Sequence, residues 1–187
     1  MELPHFLPFK DKHIIINYKE EPDSGNETIQ DFFLRWTIKC SEEKFLNISP
    51  KICINSKRIL FKLLFNDHNL DYKVESVKSW RQLGQIDLLF EIKLQEFDKP
   101  FLLNIENKWY TNISDGQLDK YLNFLNVRFD LSKYTLKNYV IYTDSEKIEE
   151  NRNSAESSNY IITSIEDLQD VLLSEKTGND MFDEFWY

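Results

Sequence analysis

Glycine and proline are scarce, 4 and 5 in 187 residues, which excludes collagen-like and other low-complexity material. Cysteine is scarcer still. Cys40 and Cys53 stand at no metal-ligand spacing and form no disulfide framework, so a reducing, cytoplasmic setting is expected. Long hydrophobic runs are missing too. The longest, "III" and "YVIY", fall far short of the roughly 20 apolar residues that span a bilayer, so no membrane partner is expected. The opening "MELPHFLPFKDK" lacks the basic start and small-residue cleavage site of a secretory signal. The three histidines, His5, His13 and His68, share no ligand spacing and are assigned no role.

Basic residues are in deficit: 23 Lys and Arg against 32 Asp and Glu, a formal net charge of −9. An acidic chain is a poor non-specific binder of nucleic acid, because phosphate contacts need cations. The charge is unevenly spread, however. Residues 55–81 carry Lys57, Arg58, Lys62, Lys73, Lys78 and Arg81 against Asp67, Asp71 and Glu75. The excess acid gathers in "YKEEPDSGNE", "DSEKIEE" and the last dozen residues. A nucleic-acid partner therefore stays open, although scattered lysines also suit a solvated helix and strand.

What the chain has is apolar mass: 41% hydrophobic and 14% aromatic residues, enough for the core of one compact domain. Residues 1–25 read as an irregular N-terminal extension, 26–175 as the folded domain, and 176–187 as an acidic and aromatic tail. "ETIQDFFLRWTIKC" spaces Ile29, Phe32, Phe33, Trp36 and Ile38 as an amphipathic helix. After an interruption at Pro50, "SKRILFKLLFN" reads as a second helix. Three strands follow in "DYKVESVKSW", "GQIDLLFEIKL" and "PFLLNIENKWY". The helix "SDGQLDKYLNFLNVRF" opens with Ser114 or Asp115 as its cap. "NYVIYTDS" reads as a strand, "EKIEENRNSAESS" as a polar loop, "NYIITS" as a strand and "IEDLQDVLLSEK" as a helix. This order predicts an α/β fold with a central sheet between helices.

One feature resists a purely structural reading. "LLNIENK" at residues 102–108 puts Glu106 and Lys108 at the end of an apolar strand, where unpaired charge is costly to bury. Strand alternation points the two side chains the same way. A hairpin with the preceding strand brings Asp87 beside Glu106 at the roughly 4.5–5.5 Å cross-strand spacing. On the next helix Gln117 and Tyr121, four residues apart, share a face. Adjacent carboxylates repel, and a hard divalent cation relieves that repulsion. A neighbouring ammonium then serves a water attacking phosphorus. Asp87, Glu106 and Lys108 together suit phosphodiester hydrolysis. The bland alternative for Glu106 and Lys108 is a half-exposed strand with a cross-strand ion pair.

These residues resemble the PD-(D/E)xK nuclease superfamily: "ID" at Ile86–Asp87, "ENK" at Glu106–Lys108, and "QLDKY" at Gln117–Tyr121 for its QxxxY motif. The resemblance covers about residues 26–145 and departs from the pattern in having Ile86 where proline is usual. It implies a restriction-endonuclease-like core, a central mixed β-sheet flanked by helices. It implies that Asp87, Glu106 and the backbone carbonyl of Asn107 ligate Mg²⁺ (or Mn²⁺), that Lys108 serves the attacking water, and that Gln117 and Tyr121 hold the lysine and the nucleic-acid backbone. Members often carry an upstream helical acid. Glu27, ahead of "FFLRW", is the best match, and Asp31 is the alternative.

The activity implied is a Mg²⁺-dependent nuclease cutting DNA, with RNA left open, in bacterial or phage restriction, antiviral defence or repair. Arg81 and Gln85 stand near enough to the metal-site strand to touch phosphate, or are plain surface. Glu91 replaces Asp87 only if the strand register slips. No reader domain is visible, so a homodimer or a larger protein complex is expected. The tail "NDMFDEFWY" is either a docking peptide for a partner or a segment folded back on its own core. The rival function is a nuclease fold used as a non-catalytic or partner-regulated binding module, which the net acidity and the aromatic tail favour.

Overall fold

The computed structural model describes residues 24–143 and 145–187. The N-terminal extension, with its prolines, His5 and His13, lies outside the described residues except for its last two, which open the first helix. The elements run α1 Ser24–Cys40, α2 Pro50–Phe65, β1 Val74–Leu83, β2 Ile86–Leu94, β3 Phe101–Lys108, α3 Gln117–Arg128, β4 Thr135–Tyr142, α4 Ile148–Ser157, β5 Ile161–Ser164, α5 Ile165–Gln169 and α6 Asp180–Trp186.

The sheet has the order β1-β2-β3-β4-β5, with β1, β2 and β3 antiparallel and β3, β4 and β5 parallel. All eight residues of β3 are buried, because it is the central strand and both its faces are covered. One face carries Val77, Leu88, Phe90, Leu103, Ile105 and Ile141 against α1, α2, α5 and α6. The other carries Leu89, Leu102, Val140 and Tyr142 against α3 and α4. This is the mixed sheet between helices that the sequence predicts. Ile86 departs from strict strand alternation, which would set it in one row with Leu88, Phe90 and Ile92: at the hairpin end it packs with Leu89 on the α3 side.

The helices differ from expectation in instructive ways. Pro50 does not precede α2 but starts it, at a position where its missing N–H is not needed; Asn66, at φ 57°, ends the helix. In α1, Phe32, Trp36 and Ile38 are buried, but Ile29 is exposed. Neither Ser114 nor Asp115 caps α3; Gly116 stands there at φ 66°, and Ser114 lends its carbonyl to the Gln117 N–H. The stretch read as a polar loop contains α4. That helix buries only Ile148, Asn151 and Ala155, too thin a stripe to register as apolar periodicity, and Lys147–Glu150 and Arg152–Glu149 pairs support its outer face. The last predicted helix stops at Gln169, after a start fixed by the Ser164–Asp167 capping box.

The tail folds back. Asn179 caps α6, Phe182 and Trp186 are fully buried, Trp186 Nε1 donates to Thr37 Oγ1 at 2.9 Å, and Phe185 stacks on Phe33 at 4.4 Å. The rings that a docking peptide needs are used inside, with Met181 and Tyr187 left exposed. Among the described residues no helix is long and apolar enough to cross a membrane. Because α6 completes the core, Trp186→Ala is expected to cost about 3–5 kcal/mol in urea unfolding, the usual loss for a buried indole; a free docking tail leaves the midpoint unchanged.

Candidate active site

The site begins at the β1–β2 turn. Gln82, Gly84 and Gln85 all take positive φ, at 54°, 62° and 73°. A Cβ on Gly84 meets the Phe124 ring at 2.5 Å, so only glycine lets α3 pack this closely on the turn. The turn fixes Asp87, and Phe124 ties its position to α3.

The β2–β3 register pairs Leu88 with Ile105 and Leu89 with Asn104, and its continuation sets Asp87 opposite Glu106. Asp87 Oδ2 accepts the Asn107 N–H at 2.9 Å, and Oδ1 accepts Gln82 Nε2 at 2.7 Å. Glu106 is 3% exposed. Its Oε1 accepts from Lys108 Nζ at 2.9 Å and from Gln117 Nε2 at 2.5 Å. Its Oε2 is buried with no hydrogen-bond partner. Burial first, and the Asp87 charge second, push the Glu106 carboxyl up to about 8, against the pull of Lys108.

Gln117 joins the parts. Its Nε2 also donates to Tyr121 Oη at 2.7 Å, and its Oε1 accepts from the Ser114 N–H at 3.1 Å and from Lys108 Nζ at 3.4 Å. Burial pushes the Tyr121 phenol up to about 12. Asp87, Glu106, Lys108, Gln117 and Tyr121, spread over 35 residues of sequence, thus meet at one end of the β2–β3 pair.

The two upstream acids arrive from the opposite face of β3, where Asn107 points. Asn107 Nδ2 donates to the Glu27 carbonyl at 3.1 Å and to Asp31 Oδ1 at 3.0 Å. Glu27 Oε1 accepts the Trp109 N–H at 3.1 Å, bracing the chain just past β3. Asp31 is 3% exposed and paired with Arg81 Nε at 3.2 Å. Burial, then Asp87, raise Asp31 to about 7 against Arg81 and Asn107. The charge of Asp87 thus acts on Asp31, while Glu27 Oε1 holds the Trp109 N–H just after β3.

Arg81 is not plain surface: besides Asp31 it reaches Thr28 Oγ1 at 3.2 Å and lies 4.8 Å above the Phe32 ring. Gln85 is exposed in the turn. Glu91 pairs with Lys78 at 2.6 Å and Tyr134 at 3.0 Å, away from the site, so the register has not slipped. Gln82 is the residue that sequence reasoning missed. It belongs to no motif, and only the turn's backbone brings it back onto Asp87.

The donor set fits a hard cation. Asp87 and Glu106 lie near enough for the charge of Asp87 to act on Glu106, and Glu106 Oε2 is buried without a hydrogen-bond partner. Among the described residues no group of three or more His, Cys, Asp or Glu side chains forms a cage; Mg²⁺ typically takes one or two carboxylates and completes its shell with water. A folded-state carboxyl at about 8, against an ordinary 4.5, means that the native state binds more protons between those values. In metal-free buffer the contribution of Glu106 to stability is therefore full below about pH 4.5 and is lost as pH rises towards 8. Glu106→Gln is expected to flatten that fall in thermal melts with chelator, and an unchanged slope contradicts the proton assignment.

A family model of the PD-(D/E)XK nuclease superfamily matches residues 13–180. No curated protein and no solved structure matches the chain. The match spans the sheet, α3 and every residue of the constellation, and with the mixed sheet and the Asp87–Glu106–Lys108 geometry it leads to one statement: the chain belongs to the PD-(D/E)XK nuclease superfamily.

Proposed function

We propose that this protein is a Mg²⁺-dependent nuclease that hydrolyses DNA phosphodiester bonds. The bacterial or phage restriction, defence or repair role implied by the resemblance is the setting in which such chemistry is used. The observation that carries the proposal is the meeting of Asp87 and Glu106 on neighbouring strands, with the Lys108 ammonium 2.9 Å from Glu106 and a buried Glu106 oxygen without a partner. Membership of a superfamily of hydrolytic nucleases supports it. The two buried free thiols suit an intracellular, reducing setting.

Asp87, Glu106 and the main-chain carbonyl of Asn107 would hold the cation. Bound there, a divalent metal supplies Lewis acidity, lowering the pKa of water and offsetting charge on the phosphate. Lys108, held between Glu106 and Gln117, orients the attacking water and balances negative charge that grows on the phosphoryl oxygens. Gln117 fixes Glu106 and Lys108 with the two ends of one amide, and Tyr121 fixes the orientation of that amide. Asp31, through Asn107, is the upstream acid better placed to sense the metal-site charge; Glu27 steadies the chain after β3.

The net charge of −9 favours a second reading, a nuclease fold that binds or assembles without cutting. The tail no longer speaks for it. Plasmid DNA and a labelled RNA incubated with Mg²⁺ separate the two. The nuclease reading expects cleavage of DNA that chelator abolishes, with Asp87→Ala and Lys108→Ala each slower by about 10²-fold or more. A folded wild type that cuts neither polymer, alone or with its natural partner, leaves only the binding reading.

A further inference from the structure

Between Lys108 at the end of β3 and Gln117 at the start of α3, both residues of the cutting centre, runs the loop 109–116. Neighbouring elements hold it at nearly every step. Glu27 of α1 takes the Trp109 N–H at 3.1 Å, and the buried Tyr142 hydroxyl of β4 donates to the Thr111 carbonyl at 3.2 Å. On the α4 side, Asn112 Nδ2 donates to Glu150 Oε1 at 2.8 Å. Asn151, itself buried, accepts the Ile113 N–H at 3.0 Å and donates to Asn112 Oδ1 at 3.2 Å. The Ser114 N–H goes to Gln117 Oε1 at 3.1 Å. A loop tied at this many points keeps a fixed course.

Tyr110 is the exception. Of residues 109–114 it alone makes no hydrogen bond among the described residues, and it is 55% exposed. Its ring meets that of the half-buried Trp109 edge to face at 5.8 Å, a contact that limits the freedom of both. The pair stands at the cutting centre, because Tyr110 follows Lys108 by two residues, at most about 7 Å of chain. Burial, then the charges of Glu150, Glu106 and Glu27, raise the Tyr142 phenol, so the hydroxyl that holds Thr111 stands within reach of the Glu106 charge. The loop is thus fastened beside the buried acid and turns one unengaged ring to solvent.

Inside a duplex the faces of each base are covered by its neighbours, so an exposed aromatic ring meets a base face only where that base has left its stack. Stacking also draws on no cations, which suits a chain of net charge −9. We propose that Tyr110, braced by Trp109, stacks an unpaired base of the DNA strand beside the scissile phosphate, so that the protein takes single-stranded or frayed DNA ahead of blunt duplex. This rests on the nuclease reading for its occupant, but its test is separable. Tyr110→Ala removes the ring, and Tyr110→Phe keeps the ring and removes the hydroxyl. At so exposed a position both are expected to melt with the wild type.

The experiment measures steady-state cleavage by full-length protein with Mg²⁺ of a labelled DNA single strand and of a blunt duplex of the same sequence. It also measures binding of both across a salt series, in an Asp87→Ala background that does not cut. KM and the dissociation constant are expected to be about fivefold or more lower for the single strand than for the duplex. Tyr110→Ala is expected to raise both for the single strand by about fivefold or more, to leave kcat within about twofold, and to leave the salt slope unchanged. Tyr110→Phe is expected to keep the wild-type values. Cleavage with no preference for the single strand, or with a single-strand KM that Tyr110→Ala does not change, overturns the stacking site and leaves the nuclease standing. A Tyr110→Phe variant as weak as Tyr110→Ala does the same, since it assigns the contact to the hydroxyl. Single-strand binding that Tyr110→Ala weakens in a protein that never cuts overturns the nuclease and upholds the stacking site. A folded protein that neither binds nor cuts overturns both.

Discussion

Two carboxylates facing each other across a β-ladder repel, and inside a protein that repulsion is expensive. Asp87 and Glu106 stand in that relation, and the surrounding structure answers them. Lys108 and Gln117 take one oxygen of Glu106, while Gln82 and the Asn107 N–H take both oxygens of Asp87. One oxygen of Glu106 stays unanswered in the protein itself. That buried carboxyl oxygen is the one the proposed cation would engage.

The fold makes this arrangement possible by placing the charges at the end of its most buried strand. β3 is apolar through Phe101, Leu102, Leu103 and Ile105, and its polar side chains go to different neighbours: Asn104 Nδ2 bonds Asn138 and Tyr160, Asn107 Nδ2 turns to α1, and Glu106 and Lys108 turn to α3. The two faces do different work. α1 braces Asn107 and the chain after β3 through Asp31 and Glu27, while α3 presents Gln117 and Tyr121 to the charged pair. The contact of Phe124 with Gly84 couples α3 to the turn that orients Asp87, so a shift of the helix is felt at both carboxylates.

Much of this was legible in the residues. The alternation of "IDLLFEIKL" and "LLNIENK" fixes which side chains share a face, and hairpin pairing of two adjacent strands leaves little choice of register. The four-residue step from Gln117 to Tyr121 places both on one side of α3. Other features were opaque because they depend on tertiary closure. Gln82 meets Asp87 through three positive-φ residues, a conformation that no apolar pattern announces. Glu27 and Asp31 are one helical turn apart, and only the packing of α1 on β3 separates their partners. α4 hid behind its polar surface, and the tail residues fit a docking peptide as well as a folded-back segment, two readings that only the contact of Trp186 with Thr37 separates.

The central claim is chelation: Asp87 and Glu106 bind one divalent cation together, beside Lys108. Anomalous diffraction at the manganese edge, from crystals of the full chain grown with Mn²⁺, tests it most directly. The account predicts a single strong peak in contact with a carboxylate oxygen of each acid, the Glu106 contact being made by the oxygen now without a partner. No peak there at saturating Mn²⁺, or density bound to only one of the two acids, contradicts it.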